Sequence, residues 1–222
     1  MNGPVLHESV AGSRQAEEPA ATPPTVWLCC GVLRAELEEL HRLGKIRGKL
    51  QFLDSMLHMD PQKLEIVLAA ALEQPGPERG VLVLVYGDCC PRMLDLARRF
   101  RVGRVNAINC AQILVGRARY RELTQGQAFM LLPEWTLRWK EIFRVELGLK
   151  EEVARDLMQD QSRVLVYLDT GLAKVPQQAL ADCAAFIGLP WRVEPVTLDN
   201  LLAMLLEAQT TATVRPSSKQ AS

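Results

Sequence analysis

Hydrophobic positions in this chain fall into short unbroken runs separated by amphipathic stretches. The clearest run is Val81-Leu-Val-Leu-Val85, followed by Tyr86, Gly87, Asp88, Cys89 and Cys90. Consecutive Val and Leu at this density predict a strand buried on both faces. Residues 25–30 (TVWLCC), 163–169 (RVLVYLD) and 191–196 have the same character. Weaker strands are predicted at 50–57, ending at His58, at 104–109, closing on Cys110, and at 128–132. The stretches between read as helices. In residues 33–43, Leu33, Leu37, Leu40 and Leu43 share a face opposite Arg34, Glu38, Glu39 and Arg42. Asp60-Pro61 provides an N-cap acid and a first-turn proline for a helix reaching about residue 74. Further helices are predicted at 91–100, 111–122 (with Gly116 as a weak point), 134–147, 150–159, 176–187 and 198–208.

This strand-helix alternation predicts an α/β fold, a mostly parallel, Rossmann-like sheet of about five or six strands with helices on both faces. The stretch 111–159 is predicted to form a mostly helical lobe within a single α/β domain over 25–208. Residues 1–24, rich in Ala, Glu, Pro and Ser, read as a disordered leader, and 209–222 as a tail.

Charge changes the picture mainly by exclusion. Lys plus Arg and Asp plus Glu both total 26, so nothing favours nucleic acid or an anionic membrane as partner. No apolar run approaches the roughly 20 residues that span a bilayer. The N-terminus lacks an export-signal pattern, which predicts a cytoplasmic protein. In that compartment the 6 cysteines are expected to be core residues, metal ligands or nucleophiles rather than a disulfide framework. The pattern does not specify an oligomeric state.

The candidate chemistry lies at the predicted strand ends: Cys29-Cys30-Gly31, His58, Asp88-Cys89-Cys90 and Cys110. In a parallel sheet these ends share one edge, where open α/β folds bind ligands. Thiolate with imidazole selects zinc or iron, as a mononuclear site or an Fe–S cluster, so Cys30, His58, Cys89 and Cys110 are the predicted metal set. Tyr86, Asp88 and Asp169 close strands and are candidates to orient a bound cofactor. Cys29 should alternate away from Cys30, and Cys183, in an Ala-rich helix, is assigned to the core. Two other readings use the same sequence. One is a metal-free enzyme with Cys89 or Cys110 as nucleophile and His58 as base. The other is a non-catalytic accessory module docking a partner through the region of Trp135 and Trp139. Phosphate-loop, dinucleotide and Gly-x-Ser-x-Gly signatures are absent from the sequence.

An ordered set of short motifs carries a resemblance: Cys30 to Arg34, Leu57-His58, Tyr86 to Cys89, Cys110 with Gly116 and Tyr120, Leu147 to Leu149, and Tyr167 to Thr170. Together they resemble the domain-of-unknown-function family numbered sixteen thirty-eight, over roughly residues 26–206. The resemblance implies cytosolic proteins often encoded near corrinoid-dependent methyltransferase genes. It therefore implies a role in corrinoid or one-carbon metabolism and a corrinoid or methyltransferase protein as partner. It also implies Cys30, His58, Cys89 and Cys110 as site positions, with Asp88 beside them. This chain departs from the family at Cys90-Pro91, where many members have Gly after the Asp-Cys, and at Asn109, where many have His or Asp.

Overall fold

A computed structural model describes residues 24–74 and 80–212, a mixed α/β, Rossmann-like arrangement of parallel strands flanked by helices. The first half alternates strictly: β1 (Thr25–Cys30), α1 (Arg34–Arg42), β2 (Lys49–Leu53), α2 (Pro61–Glu73), β3 (Val81–Val85), α3 (Met93–Arg99) and β4 (Gly103–Arg104). These strands form one parallel sheet in the order β2-β1-β3-β4. β3 lies inside it with every residue buried, as its unbroken apolar run requires. Each such Val or Leu, removed from water, contributes roughly 1.5–3 kcal/mol.

The second half contains α4 (Cys110–Gln125), β5 (Ala128–Leu131), α5 (Pro133–Leu137), α6 (Glu151–Gln161), β6 (Val164–Asp169), α7 (Gln177–Ile187), β7 (Trp191–Pro195) and α8 (Asp199–Thr211). Its strands form a second parallel sheet, β5-β6-β7. The two halves share a core because side chains of β6 alternate. Val166 and Leu168 join the core of the first sheet, whereas Leu165 and Tyr167 face Phe186, Ile187 and Trp139 in a second core. α8 returns to pack on β3, β4 and α4.

The chain thus distributes its strands over two sheets, where the sequence pattern predicts one. β4 supplies only Gly103 and Arg104 to pairing, so the expected strand 104–109 is mostly irregular chain leading into α4. The region 111–159 is helical except for β5, which opens the second sheet. The helix expected at 134–147 divides into α5 and a π-helical turn, Glu141–Glu146. α8 continues to Thr211, past the expected end of the domain, while residues 1–23 and 213–222 lie outside the described residues. Among the described residues no helix is long and apolar enough to cross a membrane.

Gly116 redirects α4. Its φ of 78° and ψ of 165° belong to a region populated almost only by glycine, and a Cβ there would lie 2.3 Å from the Asn200 side chain. The bend lets the Tyr120 hydroxyl accept a 2.7 Å hydrogen bond from Asn109 Nδ2. In a straight helix these positions would be about 16 Å apart along the axis. Asn109 also caps α4 by accepting from the Gln112 amide at 2.9 Å. The first turn of α4, which carries Cys110, is therefore held from both sides of the bend.

Candidate thiol site

Four segments following or ending the first-sheet strands deliver the soft side chains. Cys30 is the last residue of β1, and Cys89 follows β3 by four positions. Cys110 is the first residue of α4, next in the chain after β4. His58 is displaced from the strand end predicted for it. β2 stops at Leu53, and Asp54 caps a 3-10 turn, Ser55–Met59, by accepting from the Met56 amide at 2.9 Å.

Two glycines allow these segments to meet. A Cβ on Gly87 would lie 2.4 Å from the Asn109 Cα and 2.5 Å from its nitrogen. The chain after β3 is thus pressed against the chain entering α4, and the Asp88 amide donates to the Ile108 carbonyl at 3.0 Å. A Cβ on Gly31 would lie 2.8 Å from the Leu53 carbonyl oxygen, so the end of β1 sits equally close to the end of β2. Only a residue without a side chain permits either approach.

The result is a contact chain. The Cys110 thiol hydrogen-bonds with Cys30 on one side and Cys89 on the other, and Cys89 hydrogen-bonds with His58. Burial is graded along it. Cys30 and Cys110 are buried, Cys89 is half-buried and His58 is exposed at the surface, one ring face tilted against Trp135 at 5.2 Å.

Electrostatics follow from the contacts. The hydrogen bond from Cys110, with further help from the His58 hydrogen bond and charge, outweighs burial and brings the Cys89 thiol down to about 5. The hydrogen bond to Cys89 raises the His58 imidazole above its ordinary value. Cys110 is pushed well up by its hydrogen bonds with Cys30 and Cys89 and by burial. Cys89 is therefore the most readily ionised thiol of the three, with His58 favoured in its charged form beside it and Cys110 held as a thiol.

The remaining predicted residues divide. Tyr86 backs the cluster: its buried hydroxyl donates to the Cys29 carbonyl at 3.2 Å, and burial followed by the nearby thiols raises its pKa. Asp88 turns to Arg104, with Nη1 to Oδ1 at 2.8 Å. Asp169 accepts from the Gly171 amide at 2.9 Å, shaping the turn after β6. Cys29, Cys90 and Cys183 are buried, and desolvation raises all three thiols, to about 11 for Cys90 and about 12 for Cys183. They behave as core residues.

Two participants escaped the sequence reading. Trp135 packs against His58, and its buried indole N–H has no hydrogen-bond partner among the described residues. Glu36 is buried in the first turn of α1, where its carboxylate accepts from Thr170 Oγ1 at 3.0 Å. It lines a cleft of about 610 Å³ whose wall also includes Gly31, Ser55, Arg138 and Lys174, whereas none of the four soft residues lines that cleft. Position 36 falls between Leu33 and Leu37 on the apolar stripe, the one sequence signal that marked it.

Desolvation raises the Glu36 carboxyl above its usual range. The folded form therefore binds its proton more tightly than the unfolded chain, and stability falls as pH rises through that interval. Glu36→Gln keeps an acceptor for Thr170 and removes this titration. The variant is expected to be more stable than the parent by on the order of 1 kcal/mol at about pH 7, with the gain vanishing near pH 4. Urea unfolding at both pH values measures this, and a variant less stable at both would show that the carboxylate itself is required.

As a metal set, the four donors match in type the Cys₃His combination of zinc sites. Among the described residues, however, no group of three or more His, Cys, Asp or Glu is disposed to hold a metal ion. The contacts link each donor to the next, Cys30 to Cys110, Cys110 to Cys89 and Cys89 to His58.

The family described as Protein of unknown function (DUF1638) matches residues 52–205, well over half the chain, and the chain belongs to it. The match includes His58, Cys89 and Cys110 and begins after Cys30. No curated protein and no solved structure matches the chain.

Proposed function

We propose that this DUF1638 member acts through one accessible thiolate, Cys89, as a nucleophile towards a soft electrophilic centre, with His58 as its ion-pair partner and proton donor. The observation that carries this reading is positional. Cys89 is the only half-buried cysteine of the contact chain, and it touches both the imidazole and a second thiol. An accessible thiolate beside an imidazolium is the arrangement that cysteine nucleophiles use. In such a reaction Cys89 Sγ forms the new bond and His58 supplies the proton that the leaving group takes. The unpaired indole N–H of Trp135, beside His58, supports a ligand bearing a hydrogen-bond acceptor.

A second reading, binding of zinc or an iron centre through Cys30, His58, Cys89 and Cys110, is supported by the convergence of three thiols where a nucleophile needs one. Bound there, the metal would supply Lewis acidity or a metal-activated thiolate. Methyl transfer to a thiolate would connect either reading with the corrinoid or methyltransferase partner implied by the resemblance.

Brief iodoacetamide labelling of the native protein at about pH 6, followed by peptide mapping, separates the two readings. Alkylation confined to Cys89 supports the nucleophile. Protein isolated with about one equivalent of metal, unlabelled until the metal is chelated, supports the second reading. Labelling spread evenly over several cysteines would count against both.

A further inference from the structure

We propose that Cys110 is the resolving thiol of a dithiol–disulfide exchange in which Cys89 attacks a low-molecular-mass disulfide. The inference rests on Cys89 being the nucleophile and goes further by naming the substrate class and the second sulfur.

Three features of the contact chain point to it. The Cys110 thiol is already in hydrogen-bonding contact with Cys89, so the two sulfurs are neighbours in the folded chain. Burial runs in the order the exchange demands: Cys89 is half-buried and open to substrate, while Cys110 is buried behind it and shielded from direct attack. Both are held to one another by backbone. The Asp88 amide to Ile108 carbonyl bond and the Gly87–Asn109 approach fix the two segments a residue or two from each sulfur. A half-buried sulfur beside His58, whose ring packs against Trp135, suits a small disulfide better than one on a folded protein.

The steps balance. The Cys89 thiolate attacks one sulfur of R–S–S–R′, the S–S bond breaks, and the departing R′S⁻ takes the proton of the His58 imidazolium. Cys110 then loses its proton to the neutral imidazole, directly or through solvent, and its sulfur attacks Cys89 Sγ. The Cys89–S–R bond breaks and RS⁻ leaves with that proton. The protein dithiol is oxidised to a Cys89–Cys110 disulfide, and the substrate disulfide is reduced to two thiols.

The test uses the full chain, reduced, freed of reductant and treated with oxidised glutathione, with non-reducing peptide mapping over time. The expected course is a transient glutathione adduct on Cys89 that gives way to a Cys89–Cys110 cross-link. In Cys110→Ser the adduct on Cys89 should accumulate, with no cross-link forming at all. A stable Cys89 adduct in the parent protein would overturn the resolving role of Cys110 while leaving the Cys89 nucleophile standing. A cross-link between Cys110 and Cys30 would overturn it also. Failure of Cys89 to react at all would remove both readings.

Discussion

Gly87→Ala is expected to be among the most damaging single-methyl additions in the protein, lowering unfolding free energy by about 3 kcal/mol and Tm by roughly 6–12 °C. The new Cβ would sit 2.4 Å from Asn109 Cα and 2.5 Å from Asn109 nitrogen, and both obstacles are backbone. A side chain in the way can swing to another rotamer; backbone cannot. Asn109 is also tied by its cap to the Gln112 amide and by its Nδ2 to Tyr120, so the segment entering α4 has little freedom to retreat. The relief available is to separate the chain after β3 from the chain before α4, breaking the Asp88 amide to Ile108 carbonyl bond and parting Cys89 from Cys110. The substitution should therefore also return the Cys89 thiol towards ordinary behaviour. Thermal unfolding and the pH profile of Cys89 alkylation measure the two consequences together. An alanine variant as stable as the parent, with an unchanged profile, would mean that this approach does not position the site.

The same glycine shows where sequence reading stops. Gly87 follows an apolar run and precedes an acid, so it reads as an ordinary turn residue; nothing local records that the chain it must clear lies near residue 109. The α/β class, by contrast, was legible because residues 81–85 can only be a strand covered on both faces, and because amphipathic helices recur between the runs. The convergence of Cys30, Cys89 and Cys110 was legible for a related reason. Parallel strands bring their C-terminal ends to one edge, and β1, β3 and β4 are neighbours in the sheet.

What periodicity does not encode is which strand pairs with which. It gave no sign that β5, β6 and β7 would form their own sheet, since Val166 and Leu168 would look equally apolar in either. It placed His58 at a strand end, whereas the Asp54 cap ends the strand early and carries His58 on a 3-10 turn. That turn sets the exposed imidazole beside the thiols and against Trp135, a contact between distant segments that no window of sequence contains. The displacement matters for the chemistry, because it puts an exposed imidazole at the accessible end of the contact chain, beside half-buried Cys89.

The accessible end gives the other large expected effect, a shift in the Cys89 pH profile on removing its neighbours. With the thiol held at about 5, alkylation of Cys89 should follow a midpoint near that value, against about 8.5 for an ordinary cysteine. The rate at neutral pH is a poor diagnostic. A lower pKa raises the thiolate fraction about 30-fold at pH 7, but it also weakens the nucleophile by roughly 30–60-fold over that interval, and the two nearly cancel. Near pH 6 the fraction differs about 300-fold, leaving a net advantage of roughly 5–10-fold. The midpoint itself is the quantity to measure. Cys110→Ala should raise it most, because the Cys110 hydrogen bond is the largest influence holding the thiol down. His58→Gln, which removes the cation but retains a donor, should raise it less, and the double variant should bring it close to an ordinary thiol. The pH profile of Cys89 alkylation, read by peptide mapping with all other cysteines retained, follows all three. The reverse order, with His58→Gln the larger, would make the imidazolium rather than the neighbouring thiol the principal source of activation. Unchanged midpoints in both single variants would remove the basis for treating Cys89 as an activated nucleophile.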